Sequence, residues 1–477
     1  MATKFNTILS AESDNFVTFH NGQGSELRAT LLRLTPYQIV FELYNTYVLR
    51  LSEVLTDFKI MMNDSQIYSG RAVVNNLVNT GTVVVCEATL DEAWQNVNAP
   101  WPLKERGKLR ADLAESLGEW GKISKVYPEF KIVVADMQIL FMDLRRWMEQ
   151  IELGVRSQPA GNRLEIERDV LHTLEEPIVS TVGLLLEKFE EIAQRVEPDL
   201  QPAHKSYMKR QIHPLVLSSP FLYRTLQKPL GYAGDYEMVD MMLREPYEGS
   251  SMFAKMLNKI FLNTAPVLAH RDRITYLTDT LVSEAKRVAC RGRSARIYNL
   301  GCGPAKEIQN FLSEHDISSR TELTLLDFND ETLAHTSRIL QDLKTKYRRT
   351  TPIQMVKRSV SQLLKEASKP ISPGARYDYV YCAGLFDYLD DRICKRMMNL
   401  FYELLAPGGL LVVTNVESAN PSRNWMEYVL EWHLLYRNNK QLNSLNPDKS
   451  ELEKCAVLAI GAGVNISLEV RKPDDAT

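Results

Sequence analysis

The sequence predicts a multidomain chain with a small N-terminal β-barrel, an α-helical middle and a C-terminal α/β domain. Three observations carry this. Short β-branched and aromatic runs fill the chain to about Ala93. Helix-period apolar residues replace them from about Pro100 to Val196. Beyond Leu281, strand-like and helix-like runs alternate, the pattern of a parallel sheet with crossover helices. The expected divisions are 1–95, 96–200, a helical lid or substrate region at 201–280, and 281–477.

The totals agree with two or three domains, since the chain has 477 residues with 44% hydrophobic content. A net charge of −3 from nearly balanced acids and bases argues against a dedicated nucleic-acid binder. The six cysteines are scattered without a C-x-x-C pair, so reduced thiols are expected and a zinc site is not. The first residues lack the apolar core of a signal peptide, and no run of about 18 apolar residues could span a membrane. A cytoplasmic location is the expectation.

In the barrel region the expected strands are Phe16 to Phe19, Glu26 to Leu34, Gln38 to Leu43, Val48 to Leu51, Asp57 to Met62, Gln66 to Leu77 and Thr82 to Glu87. Asn21-Gly22, Ser69-Gly70 and Thr80-Gly81 punctuate them as turns. Such closely spaced strands suit a small barrel. The segment resembles a PilZ domain, a barrel often used to bind cyclic di-GMP. The PilZ ligand motif pairs arginines with a later Asp/Asn-x-Ser-x-x-Gly. Arg28 and Arg33 are present, but the later stretch is Thr35-Pro36-Tyr37-Gln38-Ile39-Val40. The resemblance therefore implies an interaction or regulatory module and argues against cyclic di-GMP binding.

In the middle, Leu109, Leu113, Leu117 and Trp120 recur at helical steps, as do Leu140, Leu144, Trp147, Met148 and Ile151. A break is expected at Gln158 to Asn162, and a kink or boundary at Pro177. Helices of this kind pack on neighbours and commonly pair between protomers, so a homodimer through this region is one expectation. Next, Lys228-Pro229-Leu230-Gly231-Tyr232-Ala233-Gly234-Asp235 ends one helix and starts another. It sets a phenol, Tyr232, and a carboxylate, Asp235, on a constrained loop. Asp235 also suits a helix N-cap.

The C-terminal domain is organised around Arg296-Ile297-Tyr298-Asn299-Leu300-Gly301-Cys302-Gly303-Pro304. This is a buried strand, a glycine turn and a helix start. Pro304 is expected in the first helical turn, and backbone N–H groups there can hold a carboxylate or hydroxyl. A second strand, Leu323 to Phe328, ends in Asp327, placed to accept ribose hydroxyls. Further strands are expected at Ile353 to Lys357, at Tyr377 to Gly384 and, after Pro407-Gly408-Gly409, at Leu410 to Thr414. A hairpin at the sheet edge, Ala456 to Ile460 with Asn465 to Arg471, closes the chain.

This series resembles the Rossmann-like class I S-adenosylmethionine-dependent methyltransferases, over roughly Leu281 to Pro473. The resemblance implies that Gly301 and Gly303 hold the methionine part of the cofactor, with Asn299 near the place of a common family acid. It implies that Asp327, with Phe328 beside it, holds the ribose, that Ser359 and Val360 flank the adenine, and that Ala383 and Gly384 complete the set. A nicotinamide-dinucleotide fold shares the order, but usually has a third glycine where Lys306 stands.

With the Lys-Pro-Leu-Gly-Tyr-Ala-Gly-Asp-Tyr stretch and Gly384-Leu385-Phe386-Asp387-Tyr388-Leu389, the chain also resembles one bacterial group, the extracellular-factor 3-hydroxypalmitic acid methyl ester biosynthesis proteins. That resemblance implies methylation of a small acceptor, the carboxylate of a 3-hydroxy fatty acid. Other readings are N- or O-methylation of another metabolite or protein side chain, and a non-catalytic cyclic-di-GMP signalling adaptor. Tyr232, Asp235, Asp387 and Tyr388 are the candidate catalytic residues. A carboxylate acceptor needs no base; an amine or phenol would, and Asp235, Asp387 or His433 could serve. Helical steps place Trp425, Tyr428, Trp432 and Tyr436 on one face, and Trp425, Tyr428, Trp432 and His433 are the candidate substrate wall. The basic cluster Lys286, Arg287, Arg291, Arg293 and Arg296 suits a solvated helix end.

Overall fold

The computed structural model describes residues 15–22, 24–35, 37–44, 49–62, 65–79, 83–91, 125–366 and 376–474. The expected helix through Leu109 to Trp120 and the Thr80-Gly81 turn lie outside these residues. The described chain forms two compact units. The first comprises Met1–Ala233, Tyr247–Phe261 and Ser422–His433; the second comprises Gly234–Pro246, Leu262–Pro421 and Leu434–Thr477.

Six strands of the first unit close a barrel: β1 (Phe16–His20), β2 (Glu26–Leu34), β3 (Gln38–Tyr44), β4 (Val54–Met62), β5 (Ser65–Asn79) and β6 (Val83–Leu90). Their order around the barrel is β1-β2-β3-β6-β5-β4. Alternate residues of β2 point inward, as period-two patterning requires. Phe19, Phe41 and Phe58 fill the centre, with Phe19 and Phe58 stacked at 5.5 Å. Of the seven runs expected, one is not a strand. Leu49 to Leu51 enters a turn in which Ser52 adopts φ 61°, and β4 begins at Val54.

The helices of this unit are α1 (Pro128–Arg156), α2 (Arg163–Ala193), α3 (Gln201–Val216) and α4 (Pro220–Gln227). The break between α1 and α2 falls where Gln158 to Asn162 predicted it. Pro177, expected as a kink or boundary, does not end α2: the helix continues through it. A missing N–H costs one helical bond, and the long apolar stripe of α2 outweighs it.

The second unit is built on a seven-stranded sheet: β7 (Ala295–Leu300), β8 (Thr321–Asp327), β9 (Ile353–Lys357), β10 (Tyr377–Cys382), β11 (Leu405–Val416), β12 (Cys455–Ile460) and β13 (Asn465–Arg471). The order is β12-β13-β11-β10-β7-β8-β9. The five strands β7 to β11 run parallel, and the β12–β13 hairpin pairs antiparallel at the edge. Helices α7 (Ala265–Ala289), α8 (Lys306–Glu314), α9 (Asp330–Tyr347), α10 (Val360–Glu366) and α11 (Asp391–Leu404) connect and cover it. The parallel strands are nearly continuous apolar runs because helices bury both faces. Chain order reverses between β7 and β10, so a crevice opens at their carboxyl ends, where ligands bind in open α/β sheets.

At the opposite edge the basic cluster is neutralised locally. Arg287 pairs with Glu284, Arg291 with Asp474 and Arg293 with Asp378. Among the described residues no helix is long and apolar enough to cross a membrane. The six cysteines are free thiols.

Candidate active site

At the end of β7 the chain turns through Gly301 (φ 71°) and Gly303 (φ 50°), conformations that glycine adopts without a Cβ penalty. The turn stays in register with its neighbour: the N–H groups of Gly301 and Cys302 both donate to Leu326 O, at 2.8 and 3.0 Å. Pro304 is not in the helix. Ala305 caps α8 in the left-handed region at φ 50°, and the first helical residue is Lys306. The helix thus begins two residues later than one started by Pro304 would.

Asp327 holds this turn. Gly303 N–H donates to its Oδ2 at 3.2 Å and Asn329 N–H to its Oδ1 at 3.0 Å. A carboxylate offers about four acceptor positions and can accept ligand hydroxyls beside backbone donors. Thr336 Oγ1 donates to Gly303 O at 2.7 Å and fixes the other side of the glycine. A Cβ built on Gly303 would meet no atom of the described residues within 4 Å apart from its chain neighbours, so open space faces this backbone. Asn299, buried at the last turn of β7, donates through Nδ2 to Tyr381 O, while its Oδ1 has no partner among the described residues. An orphaned buried acceptor, an open glycine cradle and a strand-end carboxylate together fit a polar ligand with hydroxyls and an ammonium group.

Other predicted cofactor residues take mixed places. Ser359 is the cap of α10: it accepts from Gln362 N–H at 3.3 Å while its own N–H donates to Gln362 Oε1 at 2.9 Å. Val360 is buried in the core between β10, β11 and α11. Phe328 follows Asp327 at the strand end and is partly exposed. Ala383 packs against the core on the β7 side, and Gly384 (φ 81°) donates its N–H to Thr414 Oγ1 at 3.1 Å.

After β10 a short helical turn, Phe386–Tyr388, carries Asp387 and Tyr388. Asp387 is buried and ties this loop to the end of β11, accepting from Val416 N–H at 2.7 Å through Oδ1. Burial raises its pKa, and the charges of Arg273 and Arg437 oppose that rise. Helix capping here falls to Asp390, which accepts from Ile393 N–H. Arg437 locks the loop from below, donating to Phe386 O at 2.8 Å, Leu389 O at 2.6 Å and Asn415 Oδ1 at 2.6 Å.

Asp235 caps α5 (Tyr236–Leu243), accepting from Met238 N–H at 2.9 Å. The preceding Gly234 lies beside Tyr388, whose hydroxyl is 3.4 Å from the position of a Cβ there. Helix α5 then rests on α9 through Tyr236 O–H donating to Glu331 at 2.7 Å and through Asp240 and His335 at 3.1 Å. The segment therefore runs from the Tyr388 loop to α9 within the second unit. Tyr232 is half-buried and belongs to the first unit.

The predicted substrate wall lies in the first unit. Trp425 stacks on Phe261 of α6 (Met252–Phe261) at 4.9 Å, and Tyr428 meets Phe189 at 5.9 Å. Only Trp425 and Tyr428 share a helix, α12 (Arg423–Val429). The expectation that Trp432 and Tyr436 continue its face is corrected: Glu431 adopts φ 50° and residues 431–438 lie outside any helix or strand. That turn is held by a buried charge cluster in which Glu431 accepts from Lys209 at 2.6 Å and pairs with Arg71 at 3.3 Å. His433 is buried near Glu427, and desolvation with neighbouring lysines pushes its pKa well below the usual histidine range. It is neutral in this setting.

Two residues absent from the sequence reading complete the crevice. Glu307, buried at the start of α8, accepts from Tyr381 O–H at 2.7 Å, and burial raises its pKa. Arg273 of α7 places its guanidinium 3.2 to 3.5 Å from where a Cβ of Gly384 would stand. No local motif marks them; packing of α7 across the sheet brings Arg273 to the end of β10.

Residues 298–411 match a family model described as a methyltransferase domain, so the second unit carries a methyltransferase domain. No curated protein matches the chain by sequence. Among solved structures, a possible exported protein from Bordetella parapertussis is similar at 18% identity, covering 53% of this chain and 86% of its own, with a TM-score of 0.40. The N-methyltransferase NodS from Bradyrhizobium japonicum, in complex with S-adenosyl-L-homocysteine, matches at 13% identity over 50% of this chain and 98% of its own, TM-score 0.30. Magnesium protoporphyrin IX methyltransferase from Synechocystis, with bound S-adenosylhomocysteine, matches at 10% identity over 43% and 84%, TM-score 0.30. At these scores the structural likenesses carry no part of the functional argument.

Proposed function

We propose that the chain is an S-adenosylmethionine-dependent methyltransferase acting on a small acidic acceptor, best represented by the carboxylate of a 3-hydroxy fatty acid. One observation carries the reading: within the matched domain, Asp327 and the open glycine turn at Gly303 are bonded to each other at adjoining parallel strand ends. A cofactor there would be held by Gly301 and Gly303 along its amino-acid part and by Asp327 at its ribose, and Asn299 Oδ1 would offer one more acceptor. The cofactor supplies an electrophilic methyl group. The acceptor oxygen would form the new O–C bond with its own electron pair as the C–S bond breaks and the neutral thioether S-adenosylhomocysteine leaves; a carboxylate acceptor has no proton to lose. The protein's task is then orientation and exclusion of water, which supply much of the rate in such displacements. Asp387 and Tyr388 belong to the loop bordering the reaction centre, with Asp235 and Gly234 opposite Tyr388.

The barrel is read as PilZ-like, a module for regulation or assembly, with a homodimer through the helical middle. Radiolabelled methyl transfer to an acceptor panel, with product mass spectrometry, tests the proposal. A methyl ester of a hydroxy fatty acid is expected. Methylated amines or proteins, or no turnover with intact cofactor binding, would overturn the acceptor class.

A further inference from the structure

Arg273 is a buried cation without a dedicated anion. Its side chain is about nine-tenths buried on α7. Its one hydrogen bond to another residue, among those described, is Nη2 donating to His270 Nδ1 at 2.7 Å. Burial and the neighbouring Arg273 and Arg271 charges push the His270 pKa well below its ordinary value, so the imidazole is neutral and accepts. A guanidinium has five N–H donors in a planar fork, so most of this fork is unspent. The two nearby carboxylates are occupied elsewhere: Asp387 by Val416 N–H and Glu307 by Tyr381 O–H. Neither forms an ion pair with Arg273 among the described residues, although both act on its charge. Burying a charge without a partner is costly, so such a group points to a ligand.

Its position gives the ligand's place. The guanidinium lies against Gly384, and any Cβ at 384 would press on it. Gly384 lies two residues past the end of β10, which pairs with β7, the strand that leads into the Gly301–Gly303 turn, so the fork stands at the crevice edge of β10.

We infer that Arg273 is the acceptor-binding residue, gripping a substrate carboxylate in bidentate fashion beside Gly384. This rests on the methyltransferase reading above and names the chemistry of its acceptor: an anion, preferably a carboxylate. An acceptor anion also separates the guanidinium from the positively charged sulfonium of the cofactor, which a neutral amine acceptor would not do. His270 is the positioning residue that holds the fork flat, and the small Gly384 admits it.

The test uses the full-length protein saturated with S-adenosylhomocysteine. Calorimetry measures binding of 3-hydroxydecanoate and benzoate against their neutral amides, for the parent, Arg273→Gln and Arg273→Lys. The carboxylate is expected to bind the parent at least about tenfold more tightly than its amide, the scale of a charge-assisted pair. Arg273→Gln should weaken carboxylate binding by about 10- to 100-fold and leave amide binding within about threefold. Arg273→Lys should retain part of the preference, because the charge remains and the fork is lost. S-adenosylhomocysteine affinity, read in the same variants, reports folding and should stay within a few-fold of the parent. Equal carboxylate affinity in parent and Arg273→Gln overturns the inference while sparing the cofactor reading, as does a parent that binds neither carboxylate. A parent that fails to bind S-adenosylhomocysteine overturns both.

Discussion

Gly303→Ala separates the cost of a backbone conformation from the cost of filling a binding site. At φ 50° the residue is left-handed, and a Cβ there costs about 1–2 kcal/mol. Among the described residues, apart from its chain neighbours, nothing lies within 4 Å of the added methyl, so no packing penalty joins it. Gly292 is the internal control. It has φ 79°, also meets nothing within 4 Å, and lies just before β7, at the other end of that strand. Gly292→Ala and Gly303→Ala should therefore lose similar stability, about 1–2 kcal/mol each, in urea denaturation. They should part in ligand binding. A methyl intruding on a snug ligand costs about 1–3 kcal/mol, or roughly 5- to 150-fold in Kd. Calorimetry with S-adenosylhomocysteine should show that loss for Gly303→Ala and none for Gly292→Ala. Equal affinities in the two variants would refute the claim that the space at Gly303 is cofactor space.

Two further outcomes follow from other parts of the molecule. Arg437→Ala removes the guanidinium that donates to Phe386 O, Leu389 O and Asn415 Oδ1 in a buried loop; stability should fall by about 2–4 kcal/mol, measured by denaturant titration. Lys228 is buried with its Nζ donating to Leu430 O at 2.9 Å, and desolvation brings its pKa to about 7 against an ordinary 10.5. The unfolded chain thus binds more protons between those values, so this group makes stability rise as pH climbs from 7 toward 10.5, by on the order of 1 kcal/mol per unit. Lys228→Met removes that slope, and unfolding free energies of parent and variant at pH 7 and pH 9.5 should diverge in the parent's favour; parallel curves would contradict it.

Much of the second unit was legible because its strands are continuous apolar runs closed by glycine or an acid. Strand β9 lies at Ile353–Lys357, and Asp327 ends β8, both where patterning places them. The barrel was legible by alternation, except at Leu49 to Leu51, whose apolar residues face the core from a turn. What failed was local inference about where helices start and stop. Pro304 precedes α8 instead of starting it, because Ala305 takes the left-handed cap. Three- and four-residue spacing carried Trp432 and Tyr436 onto a helix that ends at Val429, because the Glu431 charge cluster rewards a turn that no propensity foretells. Arg273 was invisible for a different reason: its neighbour Gly384 is remote in sequence and reached only by the packing of α7.

The most direct measurement is calorimetric titration of S-adenosylhomocysteine into the parent chain and into Asp327→Ala. The account predicts one site per chain in the parent and an affinity about 10- to 150-fold weaker in the variant, the loss of one charge-assisted hydrogen bond to the ribose. Binding that is absent in the parent, or identical in the two proteins, would contradict it.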